Sequence, residues 1–165
     1  MGLDPYETHL PALLSCLAVT KGPVLEVGIG EFSTPLLHAA CVQRGLVSVE
    51  ADADWFHKFA EIFRRYNHDF IFSPVYNALP NLAQQNWSVV FIDHSPGIRR
   101  VPDALLFRER ADYIVIHDYE PGEPIAGEDL VRVDPVKHLF PYWKACQRYY
   151  PYTMVLGNKE IPEII

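Results

Sequence analysis

Short apolar runs alternate with amphipathic stretches along most of the chain. The apolar runs are bounded by glycine, proline or charged residues, which is typical of buried strands. They predict strands at residues 24–27, 46–50, 70–76, 88–93, 113–118 and 153–156. Segments between them have apolar positions at helical spacing, and they predict helices at residues 5–20, 34–44, 54–66, 102–110 and 138–149.

Nearly continuous apolar strands that alternate with helices indicate an α/β fold. The expected architecture is a Rossmann-like, doubly wound, mostly parallel sheet with helices on both faces. The 165 residues show no internal repeat and no low-complexity linker, so we expect residues 1–165 to form a single domain. Residues 1–20 are its leading helix. Residues 121–134, which are acidic and contain glycine and proline, are expected to be a loop or lid.

Composition narrows the class of protein. Hydrophobic residues make up 49% of the chain, which excludes a disordered chain, and the net charge of -7 disfavours nucleic acid as a partner. Cys16, Cys41 and Cys146 contain no Cys-x-x-Cys pair, so reduced, packed thiols are expected. No apolar run approaches the ~20 residues that cross a bilayer, and the first residues lack a signal segment. We therefore expect a cytoplasmic protein that does not contact membranes.

The segment after the first predicted strand has the composition of a ligand-binding turn. In parallel sheets, ligands bind beyond the carboxyl ends of the strands. Here Gly28 and Gly30 allow a tight turn and a close approach of the backbone to a ligand. Ser33 or Thr34 can cap the next helix. Glu50 ends the second strand, where a carboxylate can accept hydrogen bonds from two ribose hydroxyls.

The charges around this turn favour one kind of nucleoside. A dinucleotide site prefers a third glycine where this chain has Ser33. Glu26 and Glu31 would repel a pyrophosphate, whereas Glu26 can reach the ammonium of a methionine moiety, directly or through water. The turn therefore favours S-adenosylmethionine over NAD.

Five stretches of the chain resemble the class I S-adenosylmethionine-dependent methyltransferases, and within them a small-molecule methyltransferase-like group. They are VLEVGIGEFSTPLLHAAC, LVSVEADADWFHKF, VVFIDHSPGIRR, YIVIHDYE and YYPYTMVLGN, which together span residues 24–158. Many members of the superfamily carry a third glycine where this chain has Phe32. The resemblance implies that S-adenosylmethionine is the cofactor. By position, it implies cofactor contacts for Glu26, Gly28, Gly30, Glu50, Ala51 and the Tyr76–Asn77 region.

The fourth and fifth predicted strands end in polar residues that should face the same rim as the turn. Asp93, His94, His117 and Asp118 are therefore the catalytic candidates, and Asp93 is also placed to contact the cofactor. His94 or His117 would act as the general base. Three further residues near these strand ends are candidates for holding the substrate: Arg99, Arg100 and Tyr119.

Two alternatives to the base remain open for the same four residues. Carboxylates and imidazoles can bind a divalent metal that lowers the pKa of an acceptor hydroxyl, although there is no compact ligand motif. Some O-methyltransferases of this fold use magnesium. Alternatively, polar residues at strand ends serve only as scaffold.

The expected function is methyl transfer to a small-molecule acceptor, such as a hydroxyl of a sugar or metabolite. Cleavage of the sulfonium and a non-catalytic nucleoside-binding module are the alternatives, because a fold does not fix a function. The apolar C-terminal residues 161–165 are expected to pack on their own sheet or on a second copy in a homo-oligomer.

Overall fold

The computed structural model describes residues 4–164, and strands within that range form one seven-stranded sheet. The order across the sheet is β3-β2-β1-β4-β5-β7-β6. The first five strands are parallel, whereas β7 runs antiparallel to β5 and β6 antiparallel to β7. This confirms the predicted, mostly parallel α/β fold. The strands are β1 (Val24–Val27), β2 (Leu46–Glu50), β3 (His68–Phe72), β4 (Trp87–Ile92), β5 (Ala111–Tyr119), β6 (Tyr142–Cys146) and β7 (Tyr152–Gly157).

The register of the central strands places their carboxyl ends level. Val27 pairs with Val49 on one side and with Ile92 on the other. Every residue of β1 and β4 is buried, as expected for strands covered on both faces. The strand order reverses beside β1, so a crevice opens where β1 and β4 end.

Helices cover both faces of the sheet. Leu13 and Leu37 pack with Phe91 on one face, and Leu79 and Phe107 pack with other strand residues on the opposite face. Within residues 4–164, no helix is both long enough and apolar enough to cross a bilayer. The helices are α1 (Leu10–Ala18), α2 (Ser33–Ala40), α3 (Ala53–Phe63), α4 (Leu79–Leu82) and α5 (Arg100–Leu106).

The predicted helix at residues 138–149 is wrong. After a short 3-10 turn at Lys137–Leu139, the chain forms the edge strand β6. Pro141 has no N–H and would clash with the preceding helical turn, which prevents a helix there. Tyr142 and Trp143 favour a strand, and β7 offers them a free edge. Periodicity alone did not reveal that this edge was available.

The third predicted strand and the predicted leading helix are among the elements that are shorter than expected. The third strand ends at Phe72 rather than near Tyr76, because the chain turns at Pro74–Tyr76, where Val75 has a φ of 51° and Tyr76 of 55°. The leading segment consists of a 3-10 turn at Pro5–Glu7 followed by α1. The side chain of Asp4 caps this turn by accepting from the Tyr6 N–H at 3.0 Å.

Residues 121–134 form no helix or strand of the sheet. The segment is anchored at its end by a bridge between Tyr119 and Val131. Asp129 accepts a hydrogen bond from the N–H of Ile98 at 2.6 Å, so the segment lies against the loop after β4. Movement as a lid stays a prediction.

Candidate functional site

Two adjoining cavities lie along the carboxyl edge of the sheet. The histidine cavity has a volume of about 600 Å³, and its wall includes His9 and His117. The glutamate cavity has a volume of about 430 Å³, and its wall includes Glu50. Both cavities share three wall residues, namely Ile29, Trp55 and Asp93. The predicted ligand turn therefore contributes to the walls of both cavities.

The turn after β1 requires glycine at position 28. Gly28 has a φ of +92°, and a Cβ at this position would lie 2.6 Å from the backbone nitrogen of His94. Gly28 lines the glutamate cavity, and Gly30 lines the histidine cavity. The indole N–H of Trp55 donates to the Ile29 carbonyl at 2.6 Å and fixes the turn between them.

Glu26 lies beneath the turn and is fully buried. Its Oε1 accepts hydrogen bonds from Ser33 at 2.7 Å and Thr34 at 2.9 Å, and its Oε2 accepts one from Ser48 at 2.5 Å. Burial raises the pKa of Glu26 to about 7, against the three hydroxyl groups that lower it. In this structure the carboxylate joins α2 to β1 and β2. Its contact with a cofactor, and those of Ser33 and Thr34, stay predictions.

The carboxylate of Glu50 is fixed by hydrogen bonds at the wall of the glutamate cavity. Its Oε1 accepts from the Ala51 N–H at 2.7 Å and from the Tyr76 hydroxyl at 3.2 Å, and its Oε2 accepts from the Ile29 N–H at 2.9 Å. A carboxylate oxygen accepts more than one hydrogen bond, so Oε2 retains capacity for a ligand. Ala51 also lines this cavity.

Two adjacent rings, those of Tyr76 and His94, belong to the wall of the glutamate cavity. The ring of Tyr76 lies over the ring of His94, with centroids 4.4 Å apart. His94 Nε2 lies 3.0 Å from Asp103 Oδ2, so this histidine is directed towards α5. Asn77 accepts a hydrogen bond from the Ser73 hydroxyl at 2.9 Å. The sequence analysis placed His94 and His117 in one catalytic group. In the structure they have different partners, because His94 lies beside Asp103 and His117 beside Asp93.

Asp93 stands at the junction of the two cavities. Its Oδ1 lies 2.8 Å from Arg100 Nη1 and 3.2 Å from His117 Nδ1. Burial acts to raise the pKa of Asp93, but the hydrogen bond to His117 and the nearby charges outweigh it and hold this pKa below its usual value. Asp93 is therefore an ionised carboxylate beside two cationic or proton-bearing groups.

Arg100 ties the ends of β4 and β5 together. Besides Asp93, its Nη1 lies 2.8 Å from Asp118 Oδ2 and donates to the His117 carbonyl at 3.0 Å, and its Nε donates to the His94 carbonyl at 2.7 Å. The guanidinium therefore fills the space between two of the carboxylates that were candidates for a metal. It also lines the histidine cavity.

A β-bulge places Asp118 on the cavity wall. The pairing of β5 with β7 shifts between His117 and Tyr119, and Asp118 is the extra residue, with a φ of 58°. Such a bulge redirects a side chain at the end of a strand. The carboxylate of Asp118 is 41% exposed, more than that of Asp93 at 22%.

Two of the three predicted substrate residues are engaged elsewhere. Arg99 donates to the Val75 carbonyl at 2.7 Å and contacts Asp103 at 3.3 Å. The buried Tyr119 hydroxyl donates to Asp134 at 2.9 Å, which secures residues 121–134. Substrate roles for these residues stay predictions.

His9 is a site residue that the sequence analysis missed. It lies at the start of α1, and its ring centroid is 4.6 Å from those of both His117 and Phe91. Burial lowers its pKa to about 3, so the ring is neutral. No spacing in the sequence connects position 9 with the strand ends. Only the docking of α1 against the sheet reveals it.

The fold is shared with enzymes of known structure. No protein-family model and no curated protein matches the sequence. An O-methyltransferase from Bacillus cereus in complex with SAH superposes with a TM-score of 0.68 at 14% identity, over 94% of this chain and 82% of that chain. The O-methyltransferase TomG from Streptomyces achromogenes, in complex with SAM, gives 0.65 at 17% identity, over 94% and 81%.

A third structure shows that this fold serves more than one chemistry. Spermidine synthase in complex with the transition state analogue AdoDATO gives a TM-score of 0.64 at 12% identity, over 94% of this chain and 60% of that chain. The chain therefore has the fold of the class I S-adenosylmethionine-dependent methyltransferases. The resemblance seen in the sequence is confirmed at the level of the fold.

Proposed function

We propose that this protein binds S-adenosylmethionine across the two cavities and transfers its methyl group to a hydroxyl of a small molecule. The observation that carries the proposal is the shared wall at Ile29, Trp55 and Asp93, which has a nucleoside-sized cavity on one side and a cavity rich in titratable groups on the other. This shared wall lies at the switch point of the sheet, where such folds bind their ligands.

The glutamate cavity suits the adenosine. Glu50 Oε2 would accept from a ribose hydroxyl, and the Tyr76 ring offers an apolar face near the base. The sulfonium would then lie near Ile29 and Gly30, with its methyl group directed into the histidine cavity. The SAM- and SAH-bound enzymes that share this fold support the choice of cofactor.

The histidine cavity suits the acceptor. Its volume of about 600 Å³ is in the range of small-molecule sites. As the acceptor oxygen attacks the methyl carbon, the C–S bond breaks, the thioether leaves, and the hydroxyl proton must be taken up. Asp93, His117 and Asp118 provide the acceptors for that proton, and Arg100 neutralises their charge. Positioning supplies much of the remaining acceleration.

We also propose how the domain is organised, where it is located and which partners it has. We infer that residues 1–165 work as one domain in the cytoplasm, without nucleic acid or membrane as a partner, and that residues 121–134 move as a lid. Ile161 and Ile164 pack against this chain's own core, and a homo-oligomer stays a proposal. Sulfonium cleavage and a non-catalytic role are less favoured, because the second cavity adjoins the cofactor space and carries groups that accept protons.

Ligand binding tests the proposal directly. Calorimetric titration with S-adenosylmethionine, S-adenosylhomocysteine and NAD should show binding of the first two only. Glu50→Ala should weaken the binding of S-adenosylmethionine by about 1.5–3 kcal/mol, the range for a hydrogen bond to a charged group. Glu61→Ala, which removes an exposed carboxylate from α3, is the matched control.

Product analysis separates the chemistries. Methyl transfer yields S-adenosylhomocysteine, whereas one type of sulfonium cleavage yields methylthioadenosine. Unchanged affinity in Glu50→Ala would place the cofactor elsewhere, and tight binding of NAD alone would refute the choice of cofactor.

A further inference from the structure

A continuous series of hydrogen bonds runs from the surface to the carboxyl group of Glu26. His38 on α2 is half-buried, and its Nδ1 lies 3.0 Å from Nδ1 of His68 on β3. On the other side of its ring, His68 Nε2 lies 2.9 Å from Ser48 Oγ on β2, which lies 2.5 Å from Glu26 Oε2 on β1. The last three residues are 0% exposed. These four residues, called the polar path below, connect the surface at α2 with the space beneath the ligand turn.

An ionised Glu26 fixes the position of every hydrogen in the polar path. A carboxylate only accepts, so Ser48 donates to Glu26 and must itself accept from His68. His68 then carries its hydrogen on Nε2 and has a lone pair at Nδ1. Because Nδ1 of His38 faces that lone pair, His38 donates from its own Nδ1. One arrangement of hydrogens therefore satisfies all four groups.

A protonated Glu26 allows the opposite arrangement. Glu26 accepts from three hydroxyls, and in the part of the chain that the structure describes only Ser48 has a second partner that could accept its hydrogen. The second partner of Thr34 is a backbone N–H of the turn, which only donates. A proton on Glu26 Oε2 would therefore be donated to Ser48, whose own hydrogen turns to His68 Nε2. His68 then carries its hydrogen on Nδ1, and every group is again satisfied.

The two histidines of the polar path are neutral near pH 7. Burial, with His38 and the guanidinium of Arg65 beside it, lowers the pKa of His68 to about 3. Burial and Arg65 also hold the pKa of His38 below its usual value. Each neutral ring accepts a hydrogen bond at one nitrogen and donates one from the other, so each can pass a hydrogen along the polar path.

Glu26 is the group of the polar path that changes its charge near neutrality. Burial raises its pKa to about 7, and Asp93 at the end of β4 acts in the same direction, against the three hydroxyl donors. The thiol of Cys41 also lies nearby, but burial raises the pKa of this thiol, so it stays neutral. The two arrangements of hydrogens therefore differ by one proton on one carboxyl group.

We propose that the two histidines and Ser48 form a proton relay between solvent and the carboxyl group of Glu26. A proton taken up at Nε2 of His38 displaces the hydrogen on its Nδ1 to Nδ1 of His68. His68 passes its Nε2 hydrogen to Ser48, which passes its own hydrogen to Glu26. Each intermediate group gains one hydrogen as it loses another, so the net transfer is one proton. The reverse sequence returns that proton to solvent.

The relay has a consequence for the cofactor that rests on the proposed function. If Glu26 meets the ammonium group of S-adenosylmethionine, the bound cation favours the carboxylate form. Binding would then release a proton from Glu26. This residue is 0% exposed, so the proton cannot pass directly to solvent, and the relay would carry it to the surface at His38.

Nitrogen NMR of the histidine rings tests the relay on the full chain without cofactor. Long-range ¹H–¹⁵N correlation spectra distinguish protonated from unprotonated ring nitrogens. In the wild type, His68 should carry its hydrogen mainly on Nε2 at about pH 8.5 and mainly on Nδ1 at about pH 5.5, on either side of the pKa of Glu26. The midpoint should coincide with the titration of the Glu26 carboxyl carbon, followed in the same samples.

Glu26→Gln should hold the relay in the reversed arrangement. Its amide oxygen can accept from Ser33 and Thr34 as Oε1 of Glu26 does, which leaves its NH₂ group to donate to Ser48. His68 should then carry its hydrogen on Nδ1 at both pH values. Circular dichroism verifies that the variant is folded.

Ser48→Ala interrupts the relay, so the tautomer of His68 should no longer follow the titration of Glu26. Ser88→Ala changes a buried serine of β4 outside the polar path, and this matched control should respond to pH as the wild type does. Should Ser48→Ala fail to fold, the spectrum of Glu26→Gln decides. The relay would be overturned by a single His68 tautomer throughout the wild-type titration, by the wild-type tautomer in folded Glu26→Gln, or by an unchanged pH response in folded Ser48→Ala.

A separate calorimetric titration with S-adenosylmethionine tests the consequence for the cofactor. At about pH 6.5, in buffers with different enthalpies of ionisation, binding should release up to about one proton, and Glu26→Gln should abolish this release. Binding without proton release would refute the contact between Glu26 and the ammonium group, whereas the tautomers of His68 report on the relay alone. Either hypothesis can therefore fail without the other.

Discussion

The turn at Gly28 shows how single residues set this site. Its positive φ, and the 2.6 Å that would separate a Cβ from the His94 nitrogen, leave no room for a side chain. Gly30 differs, because a Cβ there would meet the Ser33 hydroxyl at 2.8 Å, which belongs to a side chain. At Gly28 the backbone conformation and neighbouring backbone atoms exclude a side chain, whereas at Gly30 the obstacle is a single side chain, that of Ser33.

Gly28→Ala should therefore destabilise the protein much more than Gly30→Ala. We expect a loss of about 3 kcal/mol or more for Gly28→Ala, from strain and backbone overlap. This lowers Tm by about 6–12 °C in a domain of this size. Gly30→Ala should cost about 1 kcal/mol. Calorimetric melting of both variants checks the difference, and equal melting temperatures would contradict it. Gly28 variants consequently cannot report on ligand binding alone.

At the scale of elements, the guanidinium of Arg100 links the carboxyl ends of β4 and β5. Arg100 reaches the carboxylates of Asp93 and Asp118 and two backbone carbonyls, and it is 7% exposed. Arg99, its neighbour in the chain, is half-exposed and contacts Val75 and Asp103. The sequence presented the pair as equivalent, but only Arg100 connects two strand ends.

Arg100→Met should cost about 3–5 kcal/mol of unfolding free energy, because it leaves two buried or half-buried carboxylates without their cation. Arg99→Met should cost less, about 1 kcal/mol, because the side chain of Arg99 is itself 38% exposed and so partly solvated. Urea denaturation of both variants compares the two costs. A similar small loss in each would show that Arg100 is not the connection between the strands.

At the scale of the whole molecule, buried histidines and a buried carboxyl group have opposite effects on how stability depends on pH. Burial lowers the pKa of His68 to about 3, as it does for His9, and raises that of Glu26 to about 7. His68 Nε2 contacts Ser48, which donates to Glu26, so two of the three belong to one hydrogen-bonded chain. Their effects on stability have opposite signs with pH.

The stability of the protein should therefore rise with pH and level off near neutrality. The histidines favour folding above their unfolded pKa of 6.5, and this contribution is lost as pH falls towards 3. Glu26 favours folding below its unfolded pKa of 4.5, and this contribution is lost as pH rises through about 7. Between about pH 4.5 and about pH 6.5 the two histidines outweigh the single carboxyl group, and above about pH 7 little of either slope remains. Denaturation between about pH 4 and about pH 8 should therefore show a rise followed by a plateau.

Glu26→Gln isolates the contribution of the histidines. It should remove the opposing slope of Glu26, so that the rise of stability between about pH 4.5 and about pH 7 becomes steeper by up to about 3 kcal/mol over that range. Glu61→Gln, at an exposed position, should leave the pH profile as in the wild type. An unchanged slope in a folded Glu26→Gln variant would mean that Glu26 does not titrate in this range.

The sequence by itself determined the parallel half of the sheet and the ligand turn. Strands β1 and β2 were predicted at their observed bounds, because fully buried strands are continuous apolar runs and Gly28 ends the first of them. The gathering of Asp93, His117 and Asp118 at one rim followed from the same rule, since parallel strands end on the same side. These are local patterns with one geometric consequence.

Only the tertiary structure decided the rest. Whether residues 142–146 became a strand depended on the free edge of β7. The burial of Glu26 under three hydroxyls, and the choice of Arg100 over Arg99, depended on which groups the packed elements brought within hydrogen-bond reach. His9 joined His117 from the other end of the chain because α1 docks against β4 and β5. Such contacts leave no periodic trace, because each arises from the packing of elements far apart in the sequence.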